Sequence, residues 1–130
     1  MKKKTVLIVE DSPGFSELMK WVVEDEGFNG VLFPLEENFI QWVEKEKPSA
    51  IIMDLALNRL SGFDFIREIR AHTKHKHIPI VVITGRDLDV KDITELKMQG
   101  IPYLRKGRID MHEIHQAIRN IVSKGEPAPT

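Results

Sequence analysis

Asp54 sits in the stretch AIIMDLALN, directly behind four apolar residues, Ala50–Met53. A carboxylate in such a setting is costly to bury unless something there needs its charge. Three further apolar runs also lead into polar residues. TVLIV (5–9) runs into Glu10 and Asp11, IPIVVIT (78–84) ends on Thr84, and IPYL (101–104) leads to Lys106. Brought together, the three carboxylates would repel one another, so they must either take up protons or share a cation. The chain has no cysteine, and no histidine lies beside these positions. A hard, oxygen-loving cation is the best match, Mg²⁺ or another divalent ion such as Mn²⁺. Lys106 would then offer a point charge, and Thr84 a hydroxyl, to a phosphate oxygen. Asp54 would be free to act as a nucleophile, as aspartates do when they form acyl phosphates. Each residue alone has a plainer reading: Asp11-Ser12-Pro13 as a helix start, Asp54 as a turn residue, Lys106 as a solvated lysine. Convergence is what gives the set its meaning.

That convergence depends on the elements that carry these residues. The apolar runs, with GVLF (30–33) and AIIM (50–53), number five and are near-continuous rather than alternating, which suits strands buried on both faces. Helical periodicity fills the gaps. Phe15, Leu18, Met19, Val22 and Val23 form one apolar stripe, with Ser12 to cap it, Pro13 at its first position and Gly27 to end it. A second helix carries Phe39, Ile40 and Val43 and stops before Pro48. A third starts near Ser61 and carries Phe63, Ile66 and Ile69. The fourth, over 87–99, has the thinnest stripe: Val90, Ile93, and Leu96 or Met98, followed by Gly100. The fifth carries Met111, Ile114, Ile118, Ile121 and Val122, with Asp110 and Glu113 as a capping box. Strict strand–helix alternation predicts an α/β fold with a parallel sheet covered on both faces. Ligands of such sheets bind beyond the C-terminal strand ends, at the switch point in strand order. With the order 2-1-3-4-5, Asp54 leaves its strand beside Glu10 and Asp11. The end of the chain, GEPAPT, is Pro-rich and polar, so the expected division is a domain over 1–123 and a disordered tail or linker stub over 124–130.

The 130 residues are the size of one ordinary domain. A formal net charge of −1 implies no general pull toward nucleic acid or membrane. The absence of cysteine excludes disulfides and thiol catalysis. The apolar runs are too short to span a bilayer, and MKKKTVLIVED lacks the longer apolar region and small-residue cleavage site of a signal peptide. The expected compartment is the cytoplasm. There is no Gly-rich phosphate loop of the GxxxxGK[ST] or GxGxxG type.

VLIVEDSP, IIMDLALNRLSGFDFIREIR, IPIVVITGRD and GIPYLRKG, in this order and at these separations, resemble the receiver domain of bacterial two-component response regulators over about residues 4–123. The resemblance implies a flavodoxin-like doubly wound (βα)5 three-layer sandwich with sheet order 2-1-3-4-5. It makes Asp54 the phosphoacceptor, served by Thr84 and Lys106. It makes Asp11 and Asp54 direct Mg²⁺ ligands, with Glu10 acting through water and Ala56 through its backbone carbonyl. It also implies a sensor histidine kinase or phosphotransfer protein as donor, with Asp54 attacking its phosphohistidine. Thr84 would be drawn to the phosphoryl group and Tyr103, the switch aromatic, would turn inward. This would remodel the face of the fourth helix, fifth strand and fifth helix for a downstream protein partner. Such a chain acts on its own aspartate, in phosphorylation and dephosphorylation, and is not an enzyme toward outside substrates. No direct nucleic-acid or membrane contact is expected, and a homodimer is left open.

Some positions depart from the family pattern. Gly107 follows Lys106 where the family commonly has a cis proline. A cis bond before Gly costs about 2.5–4 kcal/mol, so a trans bond is expected. Asn58 replaces a common Pro, and Gly85 a common Ala. Arg86 and Ala56 stand where phosphoryl lifetime is tuned. The Gly107 departure motivates an alternative, a degenerate receiver that signals without phosphate. A small phosphohydrolase resembling the haloacid dehalogenases is disfavoured, because the second aspartate it needs falls on Ala56. AHTKHKH, with His72, His75 and His77, reads as a solvated helix-to-strand loop rather than a metal site. Trp21 and Trp42 read as packing or partly exposed aromatics.

Overall fold

In the computed structural model, which describes residues 3–108 and 110–125, each inner strand divides its side chains between two cores. Leu7 and Val9, Ile51 and Met53, and Ile80 and Val82 face one side. Val6 and Ile8, Ala50 and Ile52, and Val81 and Ile83 face the other. The period of two puts alternate residues on opposite faces, and both faces are covered, so every position must be apolar. This is why the runs read as continuous in the sequence.

The elements follow the predicted alternation, with one addition. They are β1 (Thr5–Val9), α1 (Pro13–Asp25), β2 (Asn29–Leu32), α2 (Phe39–Glu46), β3 (Ala50–Met53), β4 (Ala56–Leu57), β5 (Leu60–Ser61), α3 (Gly62–Arg70), β6 (Ile80–Thr84), α4 (Val90–Met98), β7 (Tyr103–Arg105) and α5 (Met111–Lys124). The main sheet has the order β2-β1-β3-β6-β7, and all its pairings are parallel. Counting sheet strands alone, this is the expected 2-1-3-4-5. Helices α1 and α5 bury Met19, Val22, Ile114 and Ile118 on one face. Helices α2, α3 and α4 bury Val43, Ile66 and Leu96 on the other. The addition is an antiparallel hairpin of β4 and β5, directly after Asp54. Two-residue strands are too short to leave a period in the sequence.

Helix ends were partly legible. Asn38, Ser61, Asp89 and Asp110 each accept a cap bond from a backbone amide. Ser12 occupies the N-cap of α1 with extended backbone, but its side chain makes no cap bond; its amide instead donates to Glu10 Oε2 at 3.1 Å. Asp110 accepts from the Glu113 amide, while the full reciprocal box forms at α4 between Asp89 and Asp92. Gly27 and Gly100 have φ of +90° and +67° and follow the last turns of α1 and α4, as helix-terminating glycines do. Helix α4 buries only Leu96 and leaves Val90 and Met98 more than four-fifths exposed, in keeping with its thin stripe. Helix α5 extends through Lys124, and Gly125 forms a turn. The remainder of the expected tail, 126–130, lies outside the described residues.

Candidate functional site

Strand register builds the site. Val9 pairs with Met53, so the next residues, Glu10 and Asp54, leave neighbouring strands side by side, and the Asp54 amide continues the ladder by donating to the Val9 carbonyl at 3.0 Å. Thr84 pairs with Arg105, and the Lys106 amide donates to the Thr84 carbonyl at 2.9 Å. Four strand ends thus deliver their polar residues to one edge of the sheet.

The side chains meet there. Ligand oxygens of Glu10, Asp11 and Asp54 all lie within 4.8 Å of one another. Lys106 Nζ lies 2.5 Å from Glu10 Oε1 and 3.2 Å from Asp54 Oδ2. Asp54 is 4% exposed and Thr84 fully buried, so these groups interact with little screening by water. Burial pushes the Glu10 carboxyl above its ordinary value, and the Asp54 charge adds to this, despite hydrogen bonds from Lys106 and the Ser12 amide. Burial works against the Lys106 charge, but its bonds to Glu10 and Asp54 and their charges prevail and raise it. With all four groups charged, three carboxylates and one ammonium leave two formal negative charges, which a divalent cation matches. The donor set consists of carboxylate oxygens alone, which suits Mg²⁺. An octahedral shell at 2.0–2.1 Å sets neighbouring oxygens about 3 Å apart, so the carboxylates draw closer together to hold the ion.

Several residues around the cluster fix it. Asp54 Oδ1 accepts from the Ala56 amide at 3.2 Å. Asp11 Oδ2 accepts from the Asn58 amide at 2.6 Å, so the hairpin tip closes onto the acidic pair. Asn58 therefore has a use here that proline could not fill, because proline has no N–H. Gly62 packs so closely that a Cβ would lie 2.1 Å from the Asp54 carbonyl oxygen. Lys106 Nζ also lies 4.4 Å from the centre of the Phe15 ring, a cation–π contact. Phe15 read in the sequence only as part of a helix stripe. Its place one turn after Asp11 was the signal that it could reach the strand ends.

Thr84 Oγ1 accepts from the Arg86 amide at 3.2 Å. The Arg86 side chain turns to Asp92 of α4, 3.1 Å away. Tyr103 is half-buried against the core beneath α3 and α4. Gly107 carries φ of +82°, no cis peptide bond occurs among the described residues, and Lys106 still reaches Asp54. Gly85 leaves ordinary van der Waals room, its hypothetical Cβ 3.7 Å from Lys106 Cδ. No helix among the described residues is long and apolar enough to cross a membrane.

Comparison with known proteins places these features in a family. A family model described as the response regulator receiver domain matches residues 6–119. The transcriptional regulatory protein CreB of Escherichia coli is 27% identical over 106 residues, which are 82% of this chain and 45% of that protein. The sensory transduction protein RegX3 of Mycolicibacterium smegmatis is 24% identical over 93% of this chain and 51% of its own length. The chain thus spans about half the length of these relatives. The receiver domain of the sensor histidine kinase PA1611 from Pseudomonas aeruginosa, solved with magnesium coordinated in its active-site cleft, superposes with a TM-score of 0.73. It is 26% identical, over 93% of this chain and 98% of that one. Vibrio cholerae chemotaxis protein CheY4 shares the fold, with a TM-score of 0.78 at 20% identity over 92% and 98% of the two chains.

Proposed function

Because this chain belongs to the response regulator receiver domain family, we propose that it accepts a phosphoryl group on Asp54 from the phosphohistidine of a sensor kinase or phosphotransfer protein. One observation carries the reading. The buried Asp54 carboxylate lies within ligand reach of Glu10 and Asp11 and is held by Lys106 at 3.2 Å. The main work is positioning and charge stabilisation, as in phosphoryl transfer generally. An Asp54 oxygen attacks phosphorus in line, the P–N bond breaks, and its electron pair returns to the imidazole. Asp11, Asp54 and the Ala56 carbonyl, with Glu10 through water, would hold Mg²⁺, which would neutralise charge on the transferring oxygens. Lys106 moves its charge from Asp54 to a phosphoryl oxygen. Thr84 accepts the Arg86 amide through a lone pair, which leaves its hydroxyl hydrogen to donate to another phosphoryl oxygen.

The chain acts only on its own aspartate, making and then hydrolysing the acyl phosphate. Movement of Thr84 frees space for half-buried Tyr103 to turn inward. Helix α4, which buries only Leu96 and is otherwise tied by ion pairs from Arg67 and Arg86 at its surface, is the element best able to follow. The surface of α4, β7 and α5 is then the face a downstream protein reads. The reading that the chain signals without phosphate was motivated by Gly107, and the contact between Lys106 and Asp54 weakens that motive.

The test is incubation with Mg²⁺ and acetyl phosphate, followed by intact mass. One added phosphoryl group is expected in the wild type and none in Asp54→Asn. An adduct of equal yield in Asp54→Asn would refute the acceptor assignment.

A further inference from the structure

At the opposite edge of the sheet, the loop between α3 and β6 is ordered by its own hydrogen bonds. The Lys76 amide donates to the His72 carbonyl at 3.0 Å and the Ile78 amide to the His75 carbonyl at 3.1 Å. Arg70 Nη1 clamps the loop from within the fold, donating to the Lys76 and Ile78 carbonyls at 3.1 and 2.8 Å. This turn stacks the His72 and His75 rings, with centroids 4.5 Å apart and planes 22° from parallel. Both rings direct Nε2 toward Glu44 near the end of α2. Glu44 Oε1 lies 3.9 Å from His72 Nε2 and 3.7 Å from His75 Nε2. His75 Nε2 is sealed from solvent and makes no hydrogen bond among the described residues. A buried polar atom without a partner is costly, and here it points at a carboxylate too far away to accept a hydrogen bond from it.

We propose that Glu44, His72 and His75 bind a borderline transition-metal ion, with Zn²⁺ the best match. Two imidazoles and a carboxylate are the usual donors for Zn²⁺ and a poor set for Mg²⁺. Tetrahedral Zn²⁺ with ligands at 2.0–2.2 Å sets neighbouring donor atoms about 3.3–3.5 Å apart. The two Glu44–histidine separations exceed this by a few tenths of an ångström, which the half-exposed Glu44 side chain can close, and the stacked rings must tilt out of parallel so that both Nε2 lone pairs converge on the ion. Three protein ligands leave one position for water. His72 must also give up the 3.3 Å hydrogen bond that its Nδ1 accepts from the Lys74 amide, since a neutral ring that binds metal through Nε2 carries its proton on Nδ1. The ion would tie α2 to the α3–β6 connection, remote from the carboxylate cleft. His77 lies outside the cluster.

The test adds zinc chloride to the protein in excess Mg²⁺, which occupies the carboxylate cleft. Imidazole nitrogen resonances and binding heat are followed. One Zn²⁺ should bind, shifting the ring nitrogens of His72 and His75 but not those of His77, His112 or His115. Affinity should fall by about tenfold or more in Glu44→Gln, His72→Gln and His75→Gln. Glu44→Gln changes an exposed residue and so keeps the test valid if a histidine variant folds poorly. Unshifted His72 and His75 resonances, or unchanged affinity in Glu44→Gln, would overturn the three-ligand site.

Discussion

Lys106 has more partners than a surface lysine: two carboxylates and the Phe15 ring. Its side chain is largely buried, so its removal leaves Glu10 and Asp54 facing each other with less neutralising charge. Lys106→Met is therefore expected to slow phosphorylation by acetyl phosphate by at least about a hundredfold, the cost of losing one preorganised charge at a transferring group. Time-resolved intact mass checks this, and a rate within a few-fold of wild type would remove Lys106 from the chemistry. Gly85 makes the contrasting case. A methyl group there meets Lys106 Cδ at an ordinary 3.7 Å, so Gly85→Ala should keep stability within about 0.5 kcal/mol in urea unfolding.

The hairpin of β4 and β5 is the element that closes the site. Its tip donates the Asn58 amide to Asp11, and Gly62 at its exit lies against the Asp54 carbonyl. The clash a Cβ would suffer at Gly62 is with backbone, at 2.1 Å from Asp54 and 2.9 Å from Leu55 Cα. No rotamer change relieves it. Gly62→Ala should cost more than about 2 kcal/mol in urea unfolding and weaken Mg²⁺ binding by displacing Asp54. Neither effect could be read from the spacing of hydrophobic residues, because the contact joins a helix start to a strand end.

Across the whole molecule, Glu26 joins the end of α1 to α5. It accepts from Arg119 at 2.8 and 3.0 Å and lies 2.9 Å from His115 Nδ1. The Arg119 hydrogen bond, followed by those of His115 and the charges of both, lowers the Glu26 carboxyl to about 2, against the opposing effect of burial. A carboxyl held below its ordinary value of 4.5 favours the folded state above that pH. Its contribution is lost as pH falls from there through about 2. Glu26→Gln should cost about 1 kcal/mol at neutral pH, a modest figure because Arg119 is half exposed. The wild type and the variant should converge in stability at the acid end. Thermal unfolding between neutral pH and pH 2 measures this, and a constant difference over the range would contradict it.

The sequence determined the strand–helix alternation, the double-faced burial of the sheet and the identity of the polar strand-end residues. Those follow from periodicity and from the cost of an acid behind an apolar run, both local properties. The tertiary structure decided what these residues touch. Lys106 bonds Glu10 and Asp54 because parallel register aligns three strand ends. The Asn58 amide, rather than its side chain, is what reaches Asp11. Arg86, left open by the sequence, turns to Asp92. His72 and His75, read as a solvated loop, meet Glu44 of α2 from the connection between α3 and β6. Contacts between residues far apart in the chain depend on register and helix packing, and spacing along one chain carries neither.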